Sequence, residues 1–190
     1  MTGTPGTGKS TLGTLLSRRG TQAPWRVIEV RDLLAPEGRG RHRTGAAIID
    51  MALAARRVRK IARDRGKPVL LVGHLAHLLP VSGALLLRCR PDVLRRRLLR
   101  RGVKGKQLQS NVEAEMVDVI LLEALALGRR IWEIDTTDRT PSSVAGWARS
   151  VLRGNVRPHH GMIDWLAQDV GGEMGVPRPK PRRRRRRVPP

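Results

Sequence analysis

Gly3-Thr4-Pro5-Gly6-Thr7-Gly8-Lys9-Ser10-Thr11 fits the pattern G-x-x-x-x-G-K-[ST] at every defined position. The reading of the whole chain turns on that match, because the spacing has a mechanism. Glycines let successive backbone N–H groups turn inward around two phosphates. Lys9 sets a mobile cation on the terminal phosphate, and Ser10 offers a hydroxyl to Mg²⁺. Leu12 to Arg19 then reads as a helix whose N-terminus faces the phosphates, where its free N–H groups and dipole favour negative charge.

A loop of this kind normally follows a buried parallel strand that holds it rigid. Only Met1 and Thr2 precede it here. The first strand is therefore expected to be truncated: either it is absent or the chain start is set too far downstream. Met1 and Thr2 can supply its last residues at most.

Downstream, strand and helix patterns alternate. Trp25 to Val30 reads as a short strand, followed by a Gly- and Arg-rich connection from Leu33 to Arg43. Thr44 to Arg65 reads as a long helix with Ile48, Met51, Leu53, Val58 and Ile61 available for a buried face. Val69-Leu70-Leu71-Val72 is a continuous apolar run of the kind found in buried parallel strands, and Ala84 to Cys89 is another. Pro91 sits at a first-turn position for a helix running to about Arg101. Gln107 to Leu127 reads as one amphipathic helix ending at Gly128. Ile131 to Asp135 is a last strand and Pro141 to Leu152 a last major helix. This alternation predicts an α/β domain of βαβ units around a parallel sheet over residues 1–169. Residues 170–190 are rich in Gly, Pro and Arg, and are expected to form a disordered basic tail.

The chain has 190 residues, 39% hydrophobic, with no Phe or Tyr and four Trp. Its core must be built from Leu, Val, Ile and Ala. The formal net charge is +22. Residues 177–190 hold eight cations (Arg178, Lys180 and Arg182 through Arg187) and no acid, so removing them still leaves +14. Such a surface suits an acidic polymer such as RNA, or is simply a solvated charge-rich face. The single Cys89 excludes an internal disulfide, agrees with a reducing cytoplasm and reads as a small core residue. No apolar stretch approaches the ~20 residues of a membrane span, and no signal-peptide pattern is present.

Several further segments, in order, carry a more specific likeness. They are Gly73-His74-Leu75-Ala76-His77-Leu78-Leu79-Pro80, Arg88-Cys89-Arg90-Pro91-Asp92-Val93-Leu94 and Leu98-Leu99-Arg100-Arg101-Gly102. Lys106-Gln107-Leu108-Gln109-Ser110-Asn111-Val112-Glu113-Ala114-Glu115, Asp135-Thr136-Thr137 and Ile163-Asp164-Trp165 complete the series. Together with the Thr2–Thr11 loop, they make the chain resemble the atypical adenylate kinases linked to small ribosomal subunit assembly, in their archaeal branch. The resemblance spans about residues 2–166.

That resemblance implies a P-loop nucleoside-monophosphate-kinase-like three-layer α/β fold. It also implies an ATP site, a monophosphate site at about residues 29–49 and a lid at about residues 100–110. By matching position, ATP contacts fall on Gly6, Thr7, Gly8, Lys9, Ser10, Thr11 and Arg101, with Ser10 reaching Mg²⁺ and catalysis assigned to Lys9, His74 and Arg101. The implied reaction is ATP and AMP giving two ADP, with ATPase activity beside it. The implied partners are AMP or another monophosphate and ribosomal RNA or small-subunit components, in the cytoplasm. The alternative is a catalytically weak, nucleotide-switched RNA-binding assembly factor.

Two departures from that pattern bear on the chemistry. In the monophosphate region, arginines set among glycines (Arg39, Arg41 and Arg43 beside Gly38 and Gly40) stand where acidic and aromatic residues are expected. At the end of the Val69–Val72 strand, Val72 occupies the position of an acid that would hold a water on Mg²⁺. Asp32 and Asp50 are the sequence candidates for replacing it. His74 and His77 read either as a metal pair or as polar residues after a strand. Arg95, Arg96, Arg97 and Arg100 read mostly as a solvated helix face, and Gly102 and Gly105 as points that permit hinge motion.

Overall fold

The computed structural model describes residues 1–17, 25–33, 39–41, 47–63 and 67–167, with side chains undescribed at 39–41 and 47–49. Arg43, Gly38 and the basic tail at 170–190 lie outside the described residues.

Six strands and six α-helices are present among those residues. In chain order they are α1 (Lys9–Ser17), β1 (Arg26–Glu29), β2 (Arg39–Arg41), β3 (Ala47–Ile49), α2 (Met51–Arg63) and β4 (Val69–Val72). Then follow β5 (Gly83–Arg88), α3 (Pro91–Arg100), α4 (Gly105–Met116), α5 (Val119–Ala126), β6 (Arg130–Asp135) and α6 (Pro141–Leu152).

β1 pairs parallel with β4, and β5 pairs parallel with β6. The chain's first two residues join these pairs. The Met1 nitrogen donates to Leu71 O at 2.6 Å and Gly73 N donates to Met1 O at 3.2 Å. On the other side Thr2 N donates to Leu85 O at 2.8 Å, and Thr2 O accepts from Leu87 N at 3.0 Å. The order across the sheet is therefore β1, β4, Met1–Thr2, β5, β6, with all neighbours parallel. The strand expected ahead of the loop is present as these two residues. Ahead of it, a cavity of about 550 Å³ lies against Met1, Val69–Leu71 and Gly83–Leu85.

Alternation along the strands sorts the core onto two faces. Leu70, Val72, Leu85, Leu87 and Ile134 pack with Leu12 and Leu16 of α1 and Val144, Ala145 and Ala148 of α6. Leu71 packs on the opposite side with Ala54 and Val58 of α2, and Leu86 with Leu121 and Ala124 of α5. With both faces covered, the strands must be apolar throughout, which is why Val69–Val72 and Ala84–Leu87 read as continuous runs.

Two expectations are corrected. The helix expected over 44–65 begins only at Met51. Ala47–Ile49 instead forms a strand antiparallel to Arg39–Arg41, inside what read as a connection. Asp50 caps the helix, its Oδ1 accepting from Leu53 N at 2.9 Å, and two adjacent β-branched residues favour the strand before it. The single helix expected over Gln107–Leu127 is two helices, broken where Asp118 adopts φ 58°. The carboxylate of Asp118 is held there by the Arg88 guanidinium. Arg88 itself is buried. It is 2% exposed and also donates to Glu115 Oε1 at 2.8 Å and Glu133 Oε1 at 2.7 Å. A buried charge with this many hydrogen-bonded partners is tolerated, whereas an unpaired one is not.

Candidate functional site

The segment from Gly3 to Gly8 leaves the sheet at Thr2 and feeds directly into the N-terminus of α1, so its backbone must turn tightly. Gly3, Gly6 and Gly8 all have positive φ, at 137°, 97° and 103°. At Gly3 even a methyl group is excluded, since a Cβ would sit 2.3 Å from Leu87 O. Side chains then fasten the loop to the sheet and to α4. Thr4 Oγ1 donates to Glu115 Oε2 at 2.5 Å, and Thr7 Oγ1 donates to Thr4 O at 2.9 Å. Thr136 Oγ1 lies 3.1 Å from Thr7 O and 2.8 Å from Arg88 O, so one hydroxyl is shared between loop and strand.

Lys9 is folded back over this loop. Its Nζ donates to Gly3 O at 2.6 Å and Thr4 O at 2.9 Å. Desolvation lowers its pKa to about 8; Glu115 and Glu29 oppose that shift, and Arg101 adds to it. An anion with its own oxygens can displace the two carbonyls and restore the full charge.

The loop and α1 open into a cavity of about 800 Å³ at the carboxyl ends of the strands, the usual place for ligands in open α/β sheets. Its wall is strongly cationic: Lys9 is joined by Arg31, Arg97, Arg100, Arg101 and Arg139. Glu29 is the one acid lining it among the described residues. His74 stands on the wall, and partial burial, with Lys9 and His77 nearby, lowers its pKa, leaving a neutral imidazole near pH 7. Arg101 caps the C-terminus of α3. Gly102 (φ 77°) ends that helix, and Gly105 (φ 57°) opens α4.

Thus Gly6, Thr7, Gly8, Lys9, Ser10, Thr11, His74 and Arg101 all line one cavity. Asp32 and Asp50 do not. Asp32 is exposed, 3.7 Å from Arg31 Nε, and Asp50 is spent as the cap of α2. His77 is no partner for His74 in a metal pair. It is 1% exposed, with Nδ1 2.9 Å from Thr2 Oγ1 and Nε2 2.8 Å from Glu123 Oε2. No cluster of three metal-ligating side chains exists among the described residues. Arg97 departs from the solvated-face reading, donating to Thr136 O at 2.9 Å and Thr137 O at 3.0 Å.

Sequence reasoning missed Glu29, Glu115 and Thr136. Glu115 is 2% exposed and accepts from Thr4, Arg88, Cys89 N and Trp165 Nε1. Its place in the Asn-x-x-x-Glu segment is the signal that could have found it.

A two-residue strand, glycine-rich turn and helix N-terminus, beside a basic cavity at the carboxyl edge of a parallel sheet, define a P-loop kinase-like α/β domain. A family profile described as "AAA domain" matches residues 1–118. The protein named "Putative adenylate kinase" of Thermococcus onnurineus (strain NA1) is 38% identical over 165 residues, covering 87% of this chain and 89% of that one. Its namesake in Pyrococcus abyssi is 35% identical with the same coverage, and that of Archaeoglobus fulgidus is 38% identical over 173 residues, 88% of this chain and 91% of its own. The chain belongs to this AAA domain family and to the family of these three proteins. A crystal structure of shikimate kinase from Bacteroides thetaiotaomicron superposes with a TM-score of 0.45 at 20% identity, over 80% of this chain and 96% of that one.

Proposed function

We propose that the protein is a nucleoside monophosphate kinase that transfers the γ-phosphoryl group of ATP to AMP, giving two ADP, with ATP hydrolysis as a side activity. The observation that carries this reading is Lys9 poised on a fastened glycine loop at the mouth of a cavity walled by five arginines. The name carried by the relatives supports it.

Phosphoryl transfer asks a protein for positioning and charge stabilisation more than for a nucleophilic side chain. In this reading an oxygen of the AMP phosphate bonds to the γ-phosphorus as the bond to the β-bridging oxygen breaks, and ADP leaves. Backbone N–H groups of Gly6 to Ser10 hold the β- and γ-phosphates. Lys9 and Arg101 clamp the charge that spreads over the transferring oxygens, in a cavity where low dielectric strengthens them. Neutral His74 offers one hydrogen bond on the wall without adding charge. The monophosphate enters at about residues 29–49, and the α3–α4 junction at about 100–110 closes over the triphosphate. The cation such chemistry uses demands hard oxygen ligands. The exposed Ser10 hydroxyl and the Glu29 carboxylate fit that demand, and when bound the ion neutralises phosphate charge.

Incubating the purified protein with ATP and each nucleoside monophosphate, and resolving products by anion-exchange chromatography, tests the proposal. ADP formation that depends on AMP is expected. Equal ADP formation with and without every monophosphate would contradict it.

A second reading is carried by charge. With +14 outside residues 177–190, the surface favours RNA, and the nucleotide would act as the switch of a factor that assembles the small ribosomal subunit. The two roles are compatible in one molecule.

A further inference from the structure

Strand β4 ends in Val72, where a carboxylate facing the nucleotide's divalent cation is expected, and an apolar side chain cannot hold a metal-bound water. We propose that Glu29, on the neighbouring strand β1, supplies that carboxylate. The proposal rests on the kinase reading of the same cavity.

The first support is register. Glu29 is the direct partner of Val72 in the parallel pair, so the two side chains leave the sheet at the same level and on the same side. A point on α1 locates them further. A Cβ built at Gly13 would lie 3.5 Å from Glu29 Oε1 and 3.5 Å from both Val72 methyls. Gly13 lies three residues after Ser10, on the same helix face. The Glu29 carboxylate therefore abuts the face of α1 that presents the Ser10 hydroxyl, and the lack of a side chain at Gly13 makes room for it.

Reach is also suitable. Adjacent strands lie about 4.8 Å apart, and Glu carries one methylene more than Asp. Direct contact with the ion is unnecessary, because Mg²⁺ keeps several waters and is held through one or two carboxylates plus substrate phosphates.

Charge and alternatives point the same way. Glu29 is half-buried and is the one acid on the cavity wall among the described residues, facing Lys9 and five arginines. Its charge is felt by both Lys9 and the Met1 ammonium. Asp32 is exposed beside Arg31, and Asp50 is engaged at the start of α2. The acid stands one strand to the side: where Val72 ends β4, its register partner Glu29 ends β1.

The test uses Mn²⁺ as a paramagnetic probe and a non-hydrolysable ATP analogue. Calorimetry gives the analogue's affinity without metal, and electron paramagnetic resonance gives Mn²⁺ affinity for the protein–nucleotide complex. Glu29→Gln should weaken Mn²⁺ binding about tenfold or more while leaving the metal-free nucleotide affinity within about twofold. Adding Val72→Asp to Glu29→Gln should restore most of the Mn²⁺ affinity. Unchanged Mn²⁺ affinity in Glu29→Gln would overturn the proposal. So would a parallel loss of metal-free nucleotide affinity, which marks a structural role, or a folded double variant as weak as the single one. If the unaltered protein fails to bind the analogue even without metal, the kinase reading fails first, and in a different arm of the experiment.

Discussion

Lowering the pH from about 8.5 to about 5.5 should weaken the fold through the amino group of Met1. That group is buried at the centre of the sheet and donates to Leu71 O at 2.6 Å. Desolvation, with a further push from Lys9 and partial relief from Glu29, lowers its pKa from 8.0 to about 5. In the folded protein the amine is neutral near pH 7, while in the unfolded chain it is protonated. The unfolded state thus binds more protons between the two pKa values, and stability rises with pH across that window. Stability is complete above about pH 8 and falls by ~1.4 kcal/mol for each pH unit down to about 5. The whole effect is about 4 kcal/mol for three units. Urea unfolding at several pH values measures it. His74 titrates with the same sign, so the comparison needs a variant with a short apolar extension ahead of Met1. Its amide keeps the hydrogen bond to Leu71 O but carries no proton to titrate. The extension also enters the cavity between β4 and β5, which can raise stability at every pH without changing the slope. The unextended protein should lose about 3 kcal/mol more than the extended one between the two extremes, which cover most but not all of that window. Parallel curves would rule out the Met1 amine as the source of the pH dependence.

Lys9, with its pKa near 8, should make triphosphate binding take up a proton above that pH; calorimetry in buffers of different ionisation enthalpy at about pH 8.5 should show uptake, and Lys9→Ala should abolish both uptake and turnover. Gly3→Ala should cost about 2–5 kcal/mol, read as a drop in urea midpoint, because it combines a positive-φ penalty with a Cβ 2.3 Å from Leu87 O. Glu115→Ala should cost about 3–5 kcal/mol by the same measurement, since it removes a buried partner of Arg88, and should also raise KM for ATP by freeing Thr4. Deleting Pro177–Pro190 should leave turnover unchanged but flatten the salt dependence of binding to a structured ribosomal RNA fragment, by roughly 0.7 in log–log slope for each single-strand phosphate that the tail had neutralised; superimposable titrations would leave the tail without an RNA role.

What the sequence made legible was whatever local chemistry dictates. The loop was readable because phosphate binding constrains both residue type and spacing. Val69–Val72 and Ala84–Leu87 were readable because both faces of the sheet are covered, and α3 and α6 because Pro91 and Pro141 mark their first turns. Elements set by distant partners were hidden. Ala47–Ile49 is a strand because Arg39–Arg41 lies beside it, while the helical pattern after Met51 extends naturally backward through it. The break at Asp118 depends on Arg88, thirty residues earlier in the chain. Nothing local to Glu115 marks it as buried, and only the fold shows it clasped by Thr4 and Arg88. Asp32 and Asp50 are the acids that the sequence offers for the place of Val72, whereas the register of β1 against β4 sets Glu29 directly beside it.

The fate of the γ-phosphoryl group is the sharpest test of the kinase reading. With ATP labelled at the γ-phosphate and an excess of AMP, label should appear in the β-phosphate of newly formed ADP, and Lys9→Ala should abolish the transfer. Label released only as inorganic phosphate, at a rate indifferent to AMP, would contradict it.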